Sequence, residues 1–306
     1  MPRIVSLIAS ATEIIDALGQ IDHLVGRSHE CDYPEAVKTL PVCTRPRIAV
    51  DGSSREIDRL VKEAARTSVS IYDVFEDVIE RLEPTHIVTQ IQCEVCAVSL
   101  RDVERAIARG LQGSPRIVSL QPDSLADIWE DFRRVARALA IPERGEEVVR
   151  ALEKRVAAIA KTARPAAPPR VASIEWIEPL MAAGNWTPEL IALAGGVNLF
   201  GEPGKHSPWM TWEQLRAADP DVIVIAPCGF DLARTAQEMY WLTGRPGWRQ
   251  LRAVNTNRVY LADGNRYFSR PGPGVVETLE ILAEMLWGAG REDHRCDPAW
   301  RVMMSR

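Results

Sequence analysis

The hydrophobic positions of this chain fall into two patterns that alternate along its length. Short runs that are apolar at nearly every position, such as Arg3–Leu7 (RIVSL) and Asp221–Ala226 (DVIVIA), are typical of strands buried on both faces. Between these runs lie segments whose apolar residues recur every three or four positions, which is the spacing of an amphipathic helix. Alternating strands and helices predict an α/β fold with mainly parallel sheets.

Turn and capping residues set the expected boundaries of these elements. Strands are predicted at Arg3–Leu7, Leu24–Val25, His86–Gln90, Arg116–Leu120, Arg170–Trp176, Asp221–Ala226 and Arg258–Leu261. Helices are predicted at Thr12–Leu18, Arg55–Ala65, Asp73–Leu82, Ser99–Arg109, Ser124–Leu139, Thr187–Leu193, Thr211–Ala217, Asp231–Tyr240 and Pro273–Leu286. Ser10 with Glu13 three residues later has the pattern of a capping box, and Thr187 before Pro188 has the pattern of a second helix start.

One further predicted helix is much longer than the others. Glu143–Ala163 is continuously helix-forming and contains no proline, and Arg164–Pro169 (RPAAPP) ends it abruptly. At 1.5 Å per residue such a helix spans about 30 Å, the width of a small domain. A chain of 306 residues is long enough for two hydrophobic cores. We therefore expect two α/β lobes joined by one backbone helix, divided as residues 1–142, 143–165 and 166–290, with a polar tail at 291–306.

The chemically unusual side chains collect in loops that directly follow the predicted strands. Ligands of open α/β sheets bind at the carboxyl ends of the strands, and loops on a rigid scaffold carry much of protein function. We therefore predict a small-molecule ligand in a cleft between the two lobes. The predicted ligand-binding residues are His29, Tyr33, Glu94, Trp176, Trp186, His206, Trp209, Asn265, Tyr267 and Arg270.

Cysteines add a second line of possible chemistry. Cys93 and Cys96 have the C-x-x-C spacing that suits one soft metal ion or a redox pair. Further metal ligands would have to come from other loops, and Cys31 and Cys228 are the cysteine candidates there. Three interpretations stay open: a metal ion or iron–sulfur cluster in the cleft, dithiol redox chemistry, and thiols that only line the core or the cleft.

Charge and hydropathy exclude several classes of function. The formal net charge of −5 argues against a nucleic-acid-binding surface. No stretch approaches the roughly 18 apolar residues of a membrane-spanning helix. The N-terminal segment lacks the uninterrupted apolar run of a secretory signal, so we expect a cytoplasmic protein whose cysteines are not paired in disulfides. Docking to a membrane transporter would require export and is not expected on this basis.

Catalytic sequence motifs are missing from the chain. The sequence has no G-x-S-x-G elbow, no Walker loop, no H-E-x-x-H pair and no G-x-G-x-x-G after the first strand. This favours a binding protein over an enzyme, although the sequence leaves open whether any reaction is catalysed.

Four stretches resemble the class III periplasmic binding proteins, whose two lobes are joined by a backbone helix. They are Ser10–Glu13 (SATE), Asp32–Pro34 (DYP), Pro208–Trp209 and the aromatic loop Asn265–Pro273. The resemblance covers residues 3–288 and is closest to the cobalamin-binding members. The chain departs from them in an insertion around residues 52–72 and in its set of loop cysteines and histidines.

The resemblance implies a ligand of the cobalamin, haem or siderophore type. Under this interpretation a corrinoid is held between the lobes by Tyr33, Trp186, Trp209 and Tyr267. His29 or His206 would then supply a nitrogen ligand to the corrinoid cobalt. The alternative is a metalloprotein or enzyme in which Cys31, Cys93 and Cys96 hold a metal ion or an iron–sulfur cluster.

Overall fold

A computed structural model describes residues 1–66, 70–91, 115–162, 167–288 and 298–303. Its contacts divide the chain into two units. The first comprises Met1–Gly52, Glu56–Pro122 and Ala126–Ala151, and the second comprises Ser53–Arg55, Asp123–Leu125 and Leu152–Arg306. The main division falls inside the long helix, and two three-residue segments of the N-terminal half belong by their contacts to the second unit.

The first unit is built on a parallel sheet. Its strands, in chain order, are β1 (Ile4–Ser6), β2 (Leu24–Arg27), β3 (Thr44–Pro46), β4 (Tyr72–Val74), β5 (His86–Gln90) and β6 (Arg116–Leu120). Four of them form the sheet in the order β2-β1-β5-β6, with every pair parallel. β3 and β4 form a separate antiparallel pair. The described helices up to residue 160 are α1 (Ala9–Ala17), α2 (Ser54–Arg66), α3 (Glu76–Leu82), α4 (Leu125–Ala138) and α5 (Pro142–Ala160).

Close packing beside β2 requires a glycine. Val5 and Ile87, on the central strands β1 and β5, are completely buried and lie in one apolar cluster with Cys43. A Cβ atom on Gly26 would lie 2.6 Å from Leu82 Cδ1 and 2.8 Å from Cys43 Sγ. No side chain can be accommodated there unless its neighbours move. The core of the first unit therefore fills the space that this glycine leaves.

The second unit contains a mixed sheet with a parallel centre. Its strands are β7 (Arg170–Trp176), β8 (Met181–Ala182), β9 (Val197–Asn198), β10 (Val222–Ile225), β11 (Val259–Ala262) and β12 (Trp300–Val302). The sheet order is β12-β11-β10-β7-β8, with β9 also pairing with β7. β7, β9, β10 and β11 run parallel, whereas β8 and β12 are antiparallel to their neighbours. The described helices are α6 (Thr187–Leu193), α7 (Trp212–Ala218), α8 (Leu232–Glu238), α9 (Tyr240–Thr243), α10 (Arg252–Asn255) and α11 (Val275–Trp287).

Two α/β units with mainly parallel sheets confirm the predicted fold class. Three strands, β5, β6 and β7, have the predicted bounds. The start of α7 is also close to its prediction, because Thr211 and Gln214 form a reciprocal capping box with donor–acceptor distances of 2.7 and 3.1 Å. Among the described residues no helix is both long and apolar enough to cross a membrane.

Local capping patterns were misleading at two helix starts. α1 begins at Ala9, so that Ser10 lies inside the helix with 1% exposure and the predicted box with Glu13 does not form. The reason is that buried Leu7 and Ile8 carry the chain from β1 straight into the helix. At α6 the predicted bounds Thr187–Leu193 are confirmed, but the cap is Trp186 instead of Thr187.

Two strands occur where the sequence suggested other structure. The helix predicted from Asp73 starts only at Glu76, because Tyr72–Val74 pairs with Thr44–Pro46 as β4. β12 lies within the predicted tail and pairs antiparallel with β11. The helix predicted at 99–109 lies outside the described residues.

Candidate functional site

In the first unit, the loop after β2 is held by a single arginine. The guanidinium of Arg27 donates to the backbone oxygens of Ser28 at 3.0 Å, Cys31 at 3.2 Å and Lys38 at 3.1 Å. Because these bonds are to the backbone, they fix the path of the loop. This loop carries His29, Cys31 and Tyr33, three of the residues selected from the sequence.

His29 is held in a defined orientation on this loop. Its Nδ1 lies 2.9 Å from Thr44 Oγ1, and its ring centroid is 5.5 Å from that of Tyr72. Nε2 lies 3.9 Å from Glu30 Oε1, and 23% of the side chain is exposed. Burial, and then the charge of Arg27, lower the pKa of His29. A neutral imidazole of this kind is suited to donate a nitrogen lone pair to a metal centre.

The cysteines of the described residues are mostly buried thiols. Cys31 and Cys43 are completely buried. Burial raises the pKa of the Cys31 thiol and raises that of Cys43 to about 12, so both carry their protons at neutral pH. Protonated, buried thiols are poor nucleophiles and poor metal ligands. Cys228 is partly exposed and follows β10, where its backbone N–H donates to Glu175 O at 3.0 Å.

The hypothesis of a metal ion or cluster held by cysteines depends mainly on residues that lie outside the described ranges. Cys93, Glu94 and Cys96 all lie outside the described residues. Within the described ranges, no group of three or more His, Cys, Asp or Glu side chains is placed to hold a metal ion. None of the similar proteins named below is described as holding an iron–sulfur cluster. A metal site at Cys31, Cys93 and Cys96 therefore stays a prediction.

In the second unit, the loops after three parallel strands meet. Trp176 ends β7, and its ring centroid lies 5.3 Å from that of Phe230, which follows β10. The backbone N–H of Asn265, which follows β11, donates to Phe230 O at 3.0 Å. Gly264 makes this approach possible, because a Cβ at that position would lie 2.0 Å from Pro227 O. Trp176 and Asn265, both selected from the sequence, are therefore brought together through a residue that the sequence analysis did not select.

Guanidinium groups lie against two of the aromatic rings in these loops. The Arg234 guanidinium lies 4.5 Å from the ring centroid of Phe230, and that of Arg266 lies 5.8 Å from the ring centroid of Tyr267. Arg270 is buried, with 4% of its surface exposed. We call Trp176, Phe230, Arg234, Arg266, Tyr267 and Arg270 the aromatic–arginine face.

Two carboxylates accompany the three arginines of the aromatic–arginine face. Asp263 accepts from the backbone N–H of Arg266 at 2.7 Å, and Asp231 accepts from that of Arg234 at 2.6 Å. Burial, and then the charge of Asp231, raise the pKa of Asp263, whereas the nearby arginines lower it. With both carboxylates ionised, three guanidinium groups against two acids leave one positive charge, and protonation of Asp263 increases it.

A neighbouring loop carries the remaining selected residues. Ser207 Oγ donates to Glu175 Oε2 at 2.9 Å, which attaches this loop to the end of β7. Trp209 is 55% exposed, whereas Trp186 is 6% exposed. His206 is exposed, and its Nδ1 lies 3.0 Å from Ser207 O.

Phe230, Arg234 and Asp263 were missed by sequence reasoning. The signal for the first two was present, since they are four residues apart across the start of α8, the spacing at which side chains on a helix meet. Asp263 stands directly before the selected loop residues, at the position that caps the turn Gly264–Phe268.

The family described as "Periplasmic binding protein" matches residues 4–265. The chain belongs to this family. That membership confirms the resemblance seen in the sequence.

This chain is similar to several named proteins, in sequence or in structure. A vitamin B12-binding protein of Vibrio cholerae is 24% identical over 286 residues, which are 93% of this chain and 88% of that protein. The apo form of the periplasmic haem-binding protein RhuT from Roseiflexus sp. RS-1 has 26% identity and a TM-score of 0.68, covering 94% of this chain and 98% of that one. The vitamin B12 binding protein BtuF of Vibrio cholerae, at 21% identity, has a TM-score of 0.67 over 95% of this chain and 98% of its own.

Proposed function

We propose that this chain is a substrate-binding protein for a tetrapyrrole-sized ligand, and that the ligand is a corrinoid. The observation that carries the proposal is the aromatic–arginine face at the carboxyl ends of β7, β10 and β11. The partly exposed ring of Trp176, packed against the buried ring of Phe230, provides an apolar surface against a macrocycle. Guanidinium groups provide several fixed donors for the amide and phosphate oxygens at the edge of a corrinoid.

Two further points support a corrinoid. The Vibrio cholerae relative that covers most of this chain is named as a vitamin B12-binding protein. His29, whose pKa is lowered by burial, offers a neutral nitrogen that would ligate cobalt.

Calorimetric titration of the purified protein with cyanocobalamin tests this proposal. We expect saturable binding at micromolar protein, and Trp176→Phe should weaken it about tenfold, or about 1.4 kcal/mol, because aromatic anchors dominate binding surfaces. Trp287→Phe is the matched control, since both tryptophans are partly buried and each donates its indole N–H to a backbone oxygen, at 3.2 Å for Trp176 and 2.7 Å for Trp287. Absence of heat together with an unchanged cobalamin spectrum would overturn the proposal.

Haem is a second candidate, favoured by the excess of guanidinium over carboxylate groups at the aromatic–arginine face. Arginine pairs strongly with carboxylates such as the propionates of haem. The Roseiflexus relative is a haem-binding protein by its name. Titration with haemin separates the candidates: haem binding should shift the Soret band, and His29→Ala should alter that shift if His29 ligates the iron. Tight cobalamin binding with no Soret change would decide for the corrinoid.

Cellular location is a separate proposal. We propose that the protein functions in the cytoplasm, supported by the free thiols of Cys31, Cys43 and Cys228, which suit a reducing compartment. Fractionation of the native host tests it. Recovery in an exported fraction would overturn it and would restore docking to a membrane transporter as an expectation.

A further inference from the structure

One buried serine is attached to the second unit through all of its polar groups. By its contacts the segment Ser53–Arg55 belongs to this unit. Ser54 is completely buried, and its backbone N–H and hydroxyl both donate to Glu238 Oε2, at 3.1 and 2.7 Å. Its carbonyl oxygen accepts from the indole N–H of Trp176 at 3.2 Å. Ser54 therefore connects a buried acid to a ring of the aromatic–arginine face.

The neighbouring residue fixes the turn that follows Trp176. Arg55 Nη2 lies 3.0 Å from Glu178 Oε1, and its guanidinium lies 4.2 Å from the ring centroid of Trp241. The other carboxylate oxygen of Glu178 pairs with Arg245. The segment thus contacts the chain both at Trp176 and two residues later.

An ordinary helix cap does not account for these contacts. Ser54 is the first residue of α2, and the acceptor for an N-terminal N–H usually comes from a side chain close in sequence. Here the acceptor is Glu238, 184 residues away and 5% exposed. A carboxylate stabilises a helix N-terminus, but a local Asp or Ser would do so without a buried acid from a distant helix. A local cap would not fix the position of Ser54 O, whereas this arrangement holds it where it accepts the indole N–H of Trp176.

We infer that Glu238 and Ser54 are positioning residues that fix the Trp176 ring for ligand binding. This rests on the proposed function, in which Trp176 contacts the ligand. With the indole N–H bonded to Ser54 O, the ring keeps its tilt against Phe230, and Phe230 in turn lies beneath the Arg234 guanidinium.

A double-mutant cycle between Glu238 and Trp176 tests the inference. Glu238→Ala releases both Ser54 donors and should weaken binding of cyanocobalamin or haemin about tenfold, the size of one lost preorganising contact. In a Trp176→Phe background the same change should have almost no further effect on affinity. Fully additive losses in the cycle would overturn the inference.

Conservative variants keep the test meaningful if Glu238→Ala folds poorly. Glu238→Gln retains an oxygen acceptor for Ser54 and should restore most of the affinity, whereas Ser54→Ala removes only the hydroxyl donor and should give a smaller loss. Asp131→Ala is the matched control, because it also removes a buried carboxylate that accepts a backbone N–H, but in the first unit. If Asp131→Ala lowers affinity as much as Glu238→Ala, the effect is general destabilisation and the inference fails.

A measurement without ligand separates this inference from the proposed function. The indole N–H of Trp176, assigned by its loss in Trp176→Phe, should exchange slowly in the native protein and rapidly in Glu238→Ala. If the native protein binds neither cyanocobalamin nor haemin but the indole responds in this way, the proposed function fails and the positioning of Trp176 stands. If ligand binds and the indole of Glu238→Ala stays protected, the inference fails and the function stands.

Discussion

The carboxyl ends of the strands carry different chemistry in the two units. In the first unit, the loop after β2 is held by backbone bonds from Arg27, and it carries a neutral histidine and a buried thiol. In the second unit, the corresponding loops present aromatic rings with guanidinium groups beside them. The same position in the two sheets thus carries a histidine in one unit and aromatic rings with guanidinium groups in the other.

This difference changes how strongly the cysteines support a metal site. The sequence left open whether the loop cysteines hold a metal ion or cluster, act as a redox pair, or only line the core or the cleft. In the structure, Cys31 and Cys43 are closed off from solvent, and burial raises the pKa of each thiol. Residue type alone therefore suggested more metal chemistry in the first unit than its described part supports.

The largest expected effect comes from adding a methyl group at one glycine in each unit. Gly264→Ala forces a Cβ to 2.0 Å from backbone atom Pro227 O, which cannot move without displacing the end of β10. We expect a loss of about 3 kcal/mol in the free energy of unfolding and loss of ligand binding. Gly26→Ala meets the end of the Leu82 side chain at 2.6 Å and the Cys43 sulfur at 2.8 Å. It should cost less, about 1–2 kcal/mol, and leave affinity nearly unchanged.

Urea unfolding and ligand titration of both glycine variants check this prediction. Equal losses of affinity in the two variants would show that the second unit does not hold the binding surface by itself.

An effect that is smaller within any one pH unit is expected from the buried acid of the first unit. Asp131 accepts from the backbone N–H of Gln121 and pairs with Arg134, while Asp127 and Glu130 lie near it. Burial raises the pKa of Asp131 to about 7, from 3.8. Because the folded pKa lies above the unfolded one, its stabilising contribution is complete below pH 4 and is lost as the pH rises through 7.

Asp131→Asn should remove this part of the pH dependence. We expect the free energy of unfolding of the native protein to fall between about pH 4 and 7 by up to about 1.4 kcal/mol per pH unit from this group, and the variant to show a flatter profile. Urea unfolding at four pH values measures it. An identical slope in the variant would show that Asp131 stays ionised in the fold.

The smallest effect concerns thiol reactivity and should leave stability unchanged. With Cys93, Cys96 and Cys296 replaced by serine, a chromogenic disulfide reagent should modify one thiol in the native protein, that of Cys228, because it alone among the described cysteines is partly exposed. The two buried thiols should react only after unfolding. Reaction of three thiols in the native state would show that the first unit opens and would restore the metal hypothesis.

The sequence predicts the central strands well and some helix starts poorly. β5, β6 and β7 have their predicted bounds because buried apolar runs depend little on distant contacts. The box at Ser10 failed because packing of Leu7 and Ile8 determined where α1 begins. β12 could not be foreseen, since a short strand in a polar segment is specified by its partner β11 and not by its own residues.

The residues of the candidate site likewise include some that the sequence could predict and some that it could not. His29 and Trp176 could be selected from the sequence because unusual residue types directly follow or end a strand. Ser54 and Glu238 could not, because a serine at a helix start and a glutamate in a helix are common, and only folding joins them across 184 residues.

The last strand also has a practical consequence for work with this protein. Asp263 N–H donates to Ala299 O at 3.0 Å, and Met303 N–H donates to Val259 O at 2.8 Å, so that β12 holds both ends of β11. The Trp300 ring lies edge-on against Tyr260 at 5.3 Å between centroids. A shortened form ending after α11 would strip this support from the loop that begins at Asp263. Fusion partners and affinity tags should therefore be attached beyond Met303, separated from it by a flexible spacer.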